Sequence, residues 1–501
     1  MGGEDLARRD RIAIAILALG GQGGGVLADW IVELANANGY VVQCTSVPGV
    51  AQRTGSTVYY VEMVRQPDPS ANVRQPVLAL MPVPGDVDIV LAAELAEAGR
   101  AILRGFVSPD RTTLIGSTHR IFAISEKAAL ADGTGSSHRM LDAANRHARR
   151  FIGFDMDEAA DRAQSVISSI LFGALAGSEA LPFGRAEFEA AIQHGGKAVQ
   201  ANLRGFDEGF NLARQRVEKI DLAEGPPSPG TAKGRELADR IERQFHSHIR
   251  PTLLFGVAKL MDYQDGVYAS LYLDRLATVA SLDDGRDGFA LSGETARYLA
   301  LWMAYEDTIR IADLKIRKSR FDRVEREVQL KLGQLLRVTE YMHPRLQEVC
   351  ETLPAPVGRA ILRSPRLRAW MEPLFRKGRH VETTSMRWFI ILRGLASMRR
   401  IRRTTLRYRD EQARIETWLE LVRSAARSDL DAAIEIARLP QLLKGYGDTF
   451  ERGLVNYLRL VEEIGAASGA SGAAARIAAL RSAALADDKG NTFRELLAAH
   501  A

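Results

Sequence analysis

"RIAIAILALGGQGGG", residues 11–25, runs eight apolar residues in a row and then packs five glycines into the six positions 20–25. A short apolar run of Ile, Ala and Leu bounded by glycine reads as a strand buried on both faces, which is how parallel sheets build their centre. Amphipathic spacing resumes at Gly24 and predicts a helix over Gly24–Asn38. Strand, bare loop and helix together open a βαβ pattern, and the residues downstream continue it. Strand-like runs occupy Tyr40–Thr45, Thr57–Val64, Val87–Ala92, Thr112–Ile115 and Arg120–Ile124, with helical spacing over Glu94–Leu103 and from Leu141 to about Leu212. The expected fold class is a doubly wound, mainly parallel α/β sheet in the N-terminal domain, followed by an all-α C-terminal domain.

The bounds agree with that reading. A chain of 501 residues is long enough for two to four domains with ample core. Its 46% hydrophobic and 26% charged residues are ordinary for a globular protein, and a formal net charge of +5 does not demand nucleic acid. Two cysteines are too few for a disulfide framework, no run reaches the ~20 apolar residues of a membrane span, and no secretory signal is legible. The expectation is a cytoplasmic protein with no transmembrane segment.

"LAEGPPSPGTAKG", residues 222–234, holds three prolines and three glycines, which neither helix nor strand tolerates. The predicted division is therefore an α/β domain over 1–215, a linker over 216–234, a helical domain over 235–464, and a flexible joint with a tail helix over 465–501.

Bare glycines at a strand-to-helix turn leave backbone N–H groups free at a helix N-terminus, where an anion is favoured. A dinucleotide fingerprint can be placed on Gly23, Gly25 and Ala28, but it begins too far beyond the strand. The second strand ends in Gln43, Cys44, Thr45 and Ser46 instead of the acid that would hold a ribose. No Lys-Ser/Thr follows for a Walker loop. The bland reading is that the glycines only make the turn and seat the helix. Gln22 argues for more, because its amide offers a donor and an acceptor in a loop otherwise without side chains. A second loop, "SVPGVAQRTGS" (46–56), sets Arg53 between glycines at the same sheet edge.

Taken together, residues 18–63 resemble the start of the gamma-type domain of the 2-oxoacid:ferredoxin oxidoreductases. Gly20, Gly21, Gln22 and Gly23 stand in that family's Gly-Gly-Gln-Gly loop, and Ser46, Gly49, Arg53 and Gly55 in its Ser-x-x-Gly-x-x-x-Arg-x-Gly loop. Ser56 follows Gly55 where the family usually has another glycine. "AYEDTIRIADLKIRKSRF" (304–321) and "LPQLLKGYGDTFERG" (439–453) resemble the helical region fused to this domain in the long, indolepyruvate-oxidising members. The resemblance implies one subunit of a heteromeric enzyme that decarboxylates aryl pyruvates oxidatively to arylacetyl-coenzyme A and passes electrons to ferredoxin. It implies Arg53 and Gln22 as catalytic-site residues, with Gly20, Gly21, Gly23, Gly24, Ser46, Gly49, Thr54 and Gly55 contacting cofactor.

Each [4Fe-4S] cluster takes four thiolates, and this chain has two cysteines. The Gly-Asp-Gly motif with a following Asn that holds thiamine diphosphate in this superfamily is absent; "DDGRDG" (283–288) has a different order. Thiamine diphosphate, magnesium and the clusters are therefore expected on a partner alpha subunit, no metal or tightly bound cofactor on this chain, and coenzyme A as co-substrate. The alternative is a self-sufficient dinucleotide-dependent oxidoreductase with a helical substrate domain. Cys44 reads as a buried core thiol. His246 and His248 lack a third metal ligand. The basic runs 315–327 and 398–411 read as solvated faces, or as a docking site for an acidic electron carrier through Arg399, Arg400, Arg402 and Arg403.

Overall fold

The computed structural model describes residues 11–47, 57–66, 76–122, 126, 134–215, 225–328, 333–375, 377–443, 447–466, 472–486 and 490–500. The chain divides into two compact units, residues 1–224 and 225–501.

Unit 1 is built on a six-stranded sheet. Its strands are β1 (Arg11–Ala18), β2 (Tyr40–Val47), β3 (Thr57–Arg65), β4 (Ile89–Ala92), β5 (Thr113–Ser117) and β6 (Arg150–Phe154), in the spatial order β2-β3-β1-β4-β5-β6. Its helices are α1 (Gly24–Ala37), α2 (Leu95–Leu103), α3 (Ser137–His147), α4 (Met156–Ala163), α5 (Ile167–Gly177), α6 (Arg185–His194) and α7 (Val199–Arg214). β1 is parallel to β4, β4 to β5 and β5 to β6, while β3 lies antiparallel between β2 and β1. The sheet is thus mainly parallel, with β3 as its exception. The physical reason is the short connection over residues 48–56. A parallel return needs a crossover of a dozen or more residues, whereas a short loop reverses the chain.

The apolar run decides the layers. Ile12, Ile14 and Ile16 of β1 share a core with α1, α5, α6 and α7, and Ala15 and Leu17 share another with α2 and α3. Two helical layers therefore cover the two sheet faces. The first core is aromatic, with Trp30 against Phe172 at 5.4 Å and Phe172 against Phe188 at 4.8 Å between ring centroids. Helix α5 is buried almost all round, which suits its apolar sequence. It crosses α7 glycine against backbone: a Cβ on Gly173 would stand 2.0 Å from the Phe206 carbonyl oxygen, and one on Gly209 2.1 Å from that of Ile170.

Two expectations for this unit fail. Residues 118–122 form no strand, and 123–125 lie outside the described residues. The sixth strand is Arg150–Phe154, inside the stretch read as helical, with Ile152 registered beside Ile115. Only five residues long and flanked by helices, it left no window for a period-two pattern to show.

Unit 2 is helix-rich, and its main core collects Tyr272, Trp302, Trp418 and Leu460 among others. It is not purely α: a two-stranded antiparallel hairpin pairs β7 (Thr339–Met342) with β8 (Arg379–Glu382). With Val381 and Met342, the hairpin seeds a small second core against Ala312 and Leu392. Beyond 466, two helices, Ala473–Ala486 and Asn491–His500, stand where one tail helix was expected. Ile477, Leu480 and Phe493 anchor them in the main core.

Candidate functional site

Five parallel strands point their carboxyl ends to one edge of unit 1, where open α/β sheets place ligands. β1 and β4 are neighbours there, and the chain leaves them for opposite faces: β1 into α1, β4 into α2.

The glycine loop separates into two pairs. Gly20 and Gly21 face open space, since a Cβ on either would meet nothing within 4 Å, and Gly21 sits at φ +91°. Gly23 and Gly24 face inward. A Cβ on Gly23 (φ +75°) would lie 2.7 Å from Ser168 Oγ, and one on Gly24 would lie 2.7 Å from Tyr59 Cε2 and 2.8 Å from the Ala18 Cβ. The turn-and-packing reading thus accounts for Gly23 and Gly24, and leaves Gly20 and Gly21 bare towards the outside.

Gln22 folds back over its own loop. Its Oε1 accepts from the Leu19 N–H at 2.8 Å, and its N–H donates to the Leu19 carbonyl at 3.1 Å. Its Nε2 is buried and has no hydrogen-bond partner among the described residues. Helix α1 begins at Gly24 with no side-chain cap and no acid in its first turn, so the positive end of its dipole is uncompensated. Ser46 is exposed near the end of edge strand β2, opposite Tyr59. Gly49, Arg53, Thr54 and Gly55 lie outside the described residues.

The same edge holds three groups that sequence reading missed. Glu94, fully buried, caps α2 by accepting from the N–H groups of Ala96 and Glu97, each at 3.0 Å, and from Ile121 at 3.3 Å. Burial pushes its carboxyl above the ordinary glutamate range, against those hydrogen bonds. Ser117 Oγ lies 2.6 Å from His119 Nδ1 and accepts from the Met156 N–H at 2.9 Å. The Nε2 of His119 is buried without a hydrogen-bond partner among the described residues. The signal was available, because each residue sits just where a strand ends. The misplaced strand over 120–124 hid it. An unmade buried donor or acceptor costs about 1–3 kcal/mol, and here two such atoms, on Gln22 and His119, belong to the loops following β1 and β5.

The remaining candidates divide, and Cys44 differs from its first reading. Cys44 is exposed on β2 and not a core thiol, although partial burial of the sulfur and nearby Asp29 push the thiol up. His246 stacks on Phe289 at 4.0 Å and accepts the His248 N–H. Among the described residues no group of three His, Cys, Asp or Glu is placed to hold a metal. The four arginines proposed for docking are mostly committed inside unit 2. Arg402 is 1% exposed and paired with Asp307 at 2.8 Å, Arg403 pairs with Asp265 at 2.8 Å, and Arg399 donates to the carbonyls of Met261 and Gln264. Arg400 alone of the four is exposed with no such partner described. Among the described residues no helix is long and apolar enough to cross a membrane.

Residues 13–212 match the family described as pyruvate ferredoxin/flavodoxin oxidoreductase, and residues 249–463 a family of unknown function, DUF6537. Unit 1 carries a domain of the first family. Over 207 residues the chain is 28% identical to the indolepyruvate oxidoreductase subunit IorB of Archaeoglobus fulgidus, a match spanning 40% of this chain and 96% of that one. The subunit of the same name from Pyrococcus horikoshii is 27% identical over 209 residues, 41% of this chain and 96% of its own. Among solved structures, pyruvate oxidoreductase subunit PORC from Thermotoga maritima is 17% identical with a TM-score of 0.29, covering 40% of this chain and 97% of its own.

Proposed function

We propose that this chain is the beta subunit of a 2-oxoacid oxidoreductase complex that oxidatively decarboxylates indolepyruvate and related aryl pyruvates. The product is the arylacetyl-coenzyme A thioester, and ferredoxin takes the two electrons. The observation that carries the reading is the match of residues 13–212 to that oxidoreductase family, together with relatives named for indolepyruvate that align over 96% of their length. The division of labour follows from residue chemistry. A cubane cluster does not fit this chain, whose two thiols are Cys44 in unit 1 and Cys350, buried in unit 2. Thiamine diphosphate does not fit either, for want of its Gly-Asp-Gly and Asn anchor. Both groups, with magnesium, belong in this proposal to an alpha subunit, in a cytoplasmic hetero-oligomer.

An anionic group does fit the sheet edge. The uncapped N-terminus of α1 and the outward-open Gly20 and Gly21 admit a phosphate-bearing ligand close to backbone. Gln22 would donate its unpaired Nε2–H to it. Coenzyme A, when bound, supplies the thiol that takes up the acyl group. Arg53, Thr54, Gly49, Gly55 and Ser46 are proposed to complete the contact from the second loop, Arg53 by a fixed positive charge on substrate carboxylate or coenzyme phosphate.

The test is affinity purification of the full chain with mass spectrometry of what accompanies it, followed by turnover of indolepyruvate with ferredoxin. The expected companion carries thiamine diphosphate and iron–sulfur clusters, and the chain alone is inactive. An isolated chain that oxidises an aryl oxoacid, or binds NAD or NADP saturably, overturns the proposal.

A further inference from the structure

Unit 2 holds a cavity of about 1220 Å³, somewhat larger than the ~300–1,000 Å³ typical of small-molecule sites. One wall is apolar and soft: Trp388, Leu392 and Leu395 from the helix Met386–Ser397, Met398 after it, and Met342 from β7. The lining also carries eight Lys or Arg side chains and six Asp or Glu.

Most of those cations are spoken for. Lys315 and Arg320 both pair with Glu340, and Arg317 with Asp313. Arg407 is held on two sides, by Glu351 at 3.0 Å and Glu411 at 2.8 Å, with its guanidinium 4.3 Å from the Phe450 ring centroid. Its Nε–H is nevertheless buried with no acceptor among the described residues. Arg407 thus lines the cavity as a rigidly held cation that has one hydrogen bond unmade among the described residues. A buried charged donor is a group that an anionic oxygen relieves.

We propose that this cavity is a binding site for an amphipathic organic anion, a flat aromatic body carrying one carboxylate. The aromatic body packs on Trp388, Leu392 and Leu395, and the carboxylate accepts from Arg407. The proposal rests on unit 2 alone and is independent of the oxidoreductase reading, which concerns unit 1.

The probe is 2-naphthoate, set against its neutral isostere 2-naphthamide, titrated into the full chain by calorimetry and by quenching of tryptophan fluorescence. One saturable site is expected for the carboxylate, with the amide weaker by about tenfold for loss of the charge-assisted bond. The quenching should vanish in Trp388→Phe. Ile391→Trp, at a cavity-lining position that is 41% exposed and so tolerant of bulk, should weaken both compounds at least ~10-fold by filling the space. Arg407→Lys, which keeps a charge for Glu351 and Glu411, should weaken the carboxylate and not the amide. Equal binding of carboxylate and amide overturns the anionic assignment, a comparison made on the natural sequence and so untouched if Arg407→Lys unfolds. Binding unchanged by Ile391→Trp, or no binding at all, overturns the site.

Discussion

Substitution in turn at Gly20, Gly21 and Gly23 separates what the glycine loop does for folding from what it does for ligand binding. At Gly20 a Cβ meets nothing and φ is ordinary, so Gly20→Ala should be neutral or stabilise by up to ~1 kcal/mol through the unfolded chain. Gly21→Ala meets nothing either, but φ is +91°, which costs an L-residue roughly 1–2 kcal/mol. Gly23→Ala combines φ +75° with an approach of 2.7 Å to Ser168 Oγ. Adding roughly 1–3 kcal/mol of overpacking to the backbone cost gives about 2–5 kcal/mol. At about 2–4 °C per kcal/mol for a domain of this size, unit 1 should melt roughly 4–20 °C lower. Replacing Ser168 by Ala alongside Gly23→Ala should return part of that loss, because the Oγ contact disappears while the Ser168 Cβ contact at 3.0 Å and the backbone strain remain. Trp30, buried on α1, is the one tryptophan within residues 1–224. In 5-fluorotryptophan-labelled protein its ¹⁹F resonance therefore reports unit 1 during thermal or urea unfolding. Affinity for the proposed coenzyme A should be hit where the melt is not, with a bulky Gly20→Leu weakening its binding while leaving the melt unchanged. Equal destabilisation by Gly20→Ala and Gly23→Ala would refute the loop geometry. Unimpaired coenzyme A binding by Gly20→Leu would remove the outward pair from the ligand site.

Arg402→Met strips Asp307 of its buried counter-ion and should destabilise unit 2 by about 3–5 kcal/mol, whereas exposed Arg400→Gln should stay within ~0.5 kcal/mol in the same denaturation assay. Gly173→Ala forces a methyl to within 2.0 Å of the Phe206 carbonyl oxygen, so α5 and α7 must separate. That variant should lose at least ~3 kcal/mol or fail to accumulate as soluble protein, while Gly394→Ala, whose Cβ meets nothing, should gain ~0.5–1 kcal/mol from helix propensity. Glu94 has a carboxyl raised on folding, so the folded state holds its proton more tightly than the unfolded chain does. Its contribution is unfavourable above the folded value, and this penalty disappears as pH falls through the ordinary glutamate range near ~4.3. Urea midpoints of Glu94→Gln relative to the natural chain should therefore improve as pH rises from about 4; a difference that stays flat with pH would show that the residue does not titrate on folding.

Much of unit 1 is legible along the chain because its signals are local. Ile12, Ile14 and Ile16 declare a strand with no polar face, and the bare glycines after it declare a turn into a helix. Proline and glycine over 222–234 announce a break in regular structure. Composition alone leaves this chain two thiols, short of the four that a cubane cluster takes. Tertiary structure decided what depends on neighbours distant in sequence. Which glycines are bare for the outside and which are bare for Ser168 and Tyr59 is fixed by α5 and β3, not by the loop's own sequence. Glu94, Ser117 and His119 come to one edge with Gln22 because β4 and β5 align in parallel beside β1. The arginines of 399–403 read as a free basic run, yet Asp265 and Asp307, about a hundred residues earlier or more, absorb two of their charges. Spacing along a chain records which face a side chain takes; only the packed fold supplies the partner that the face meets.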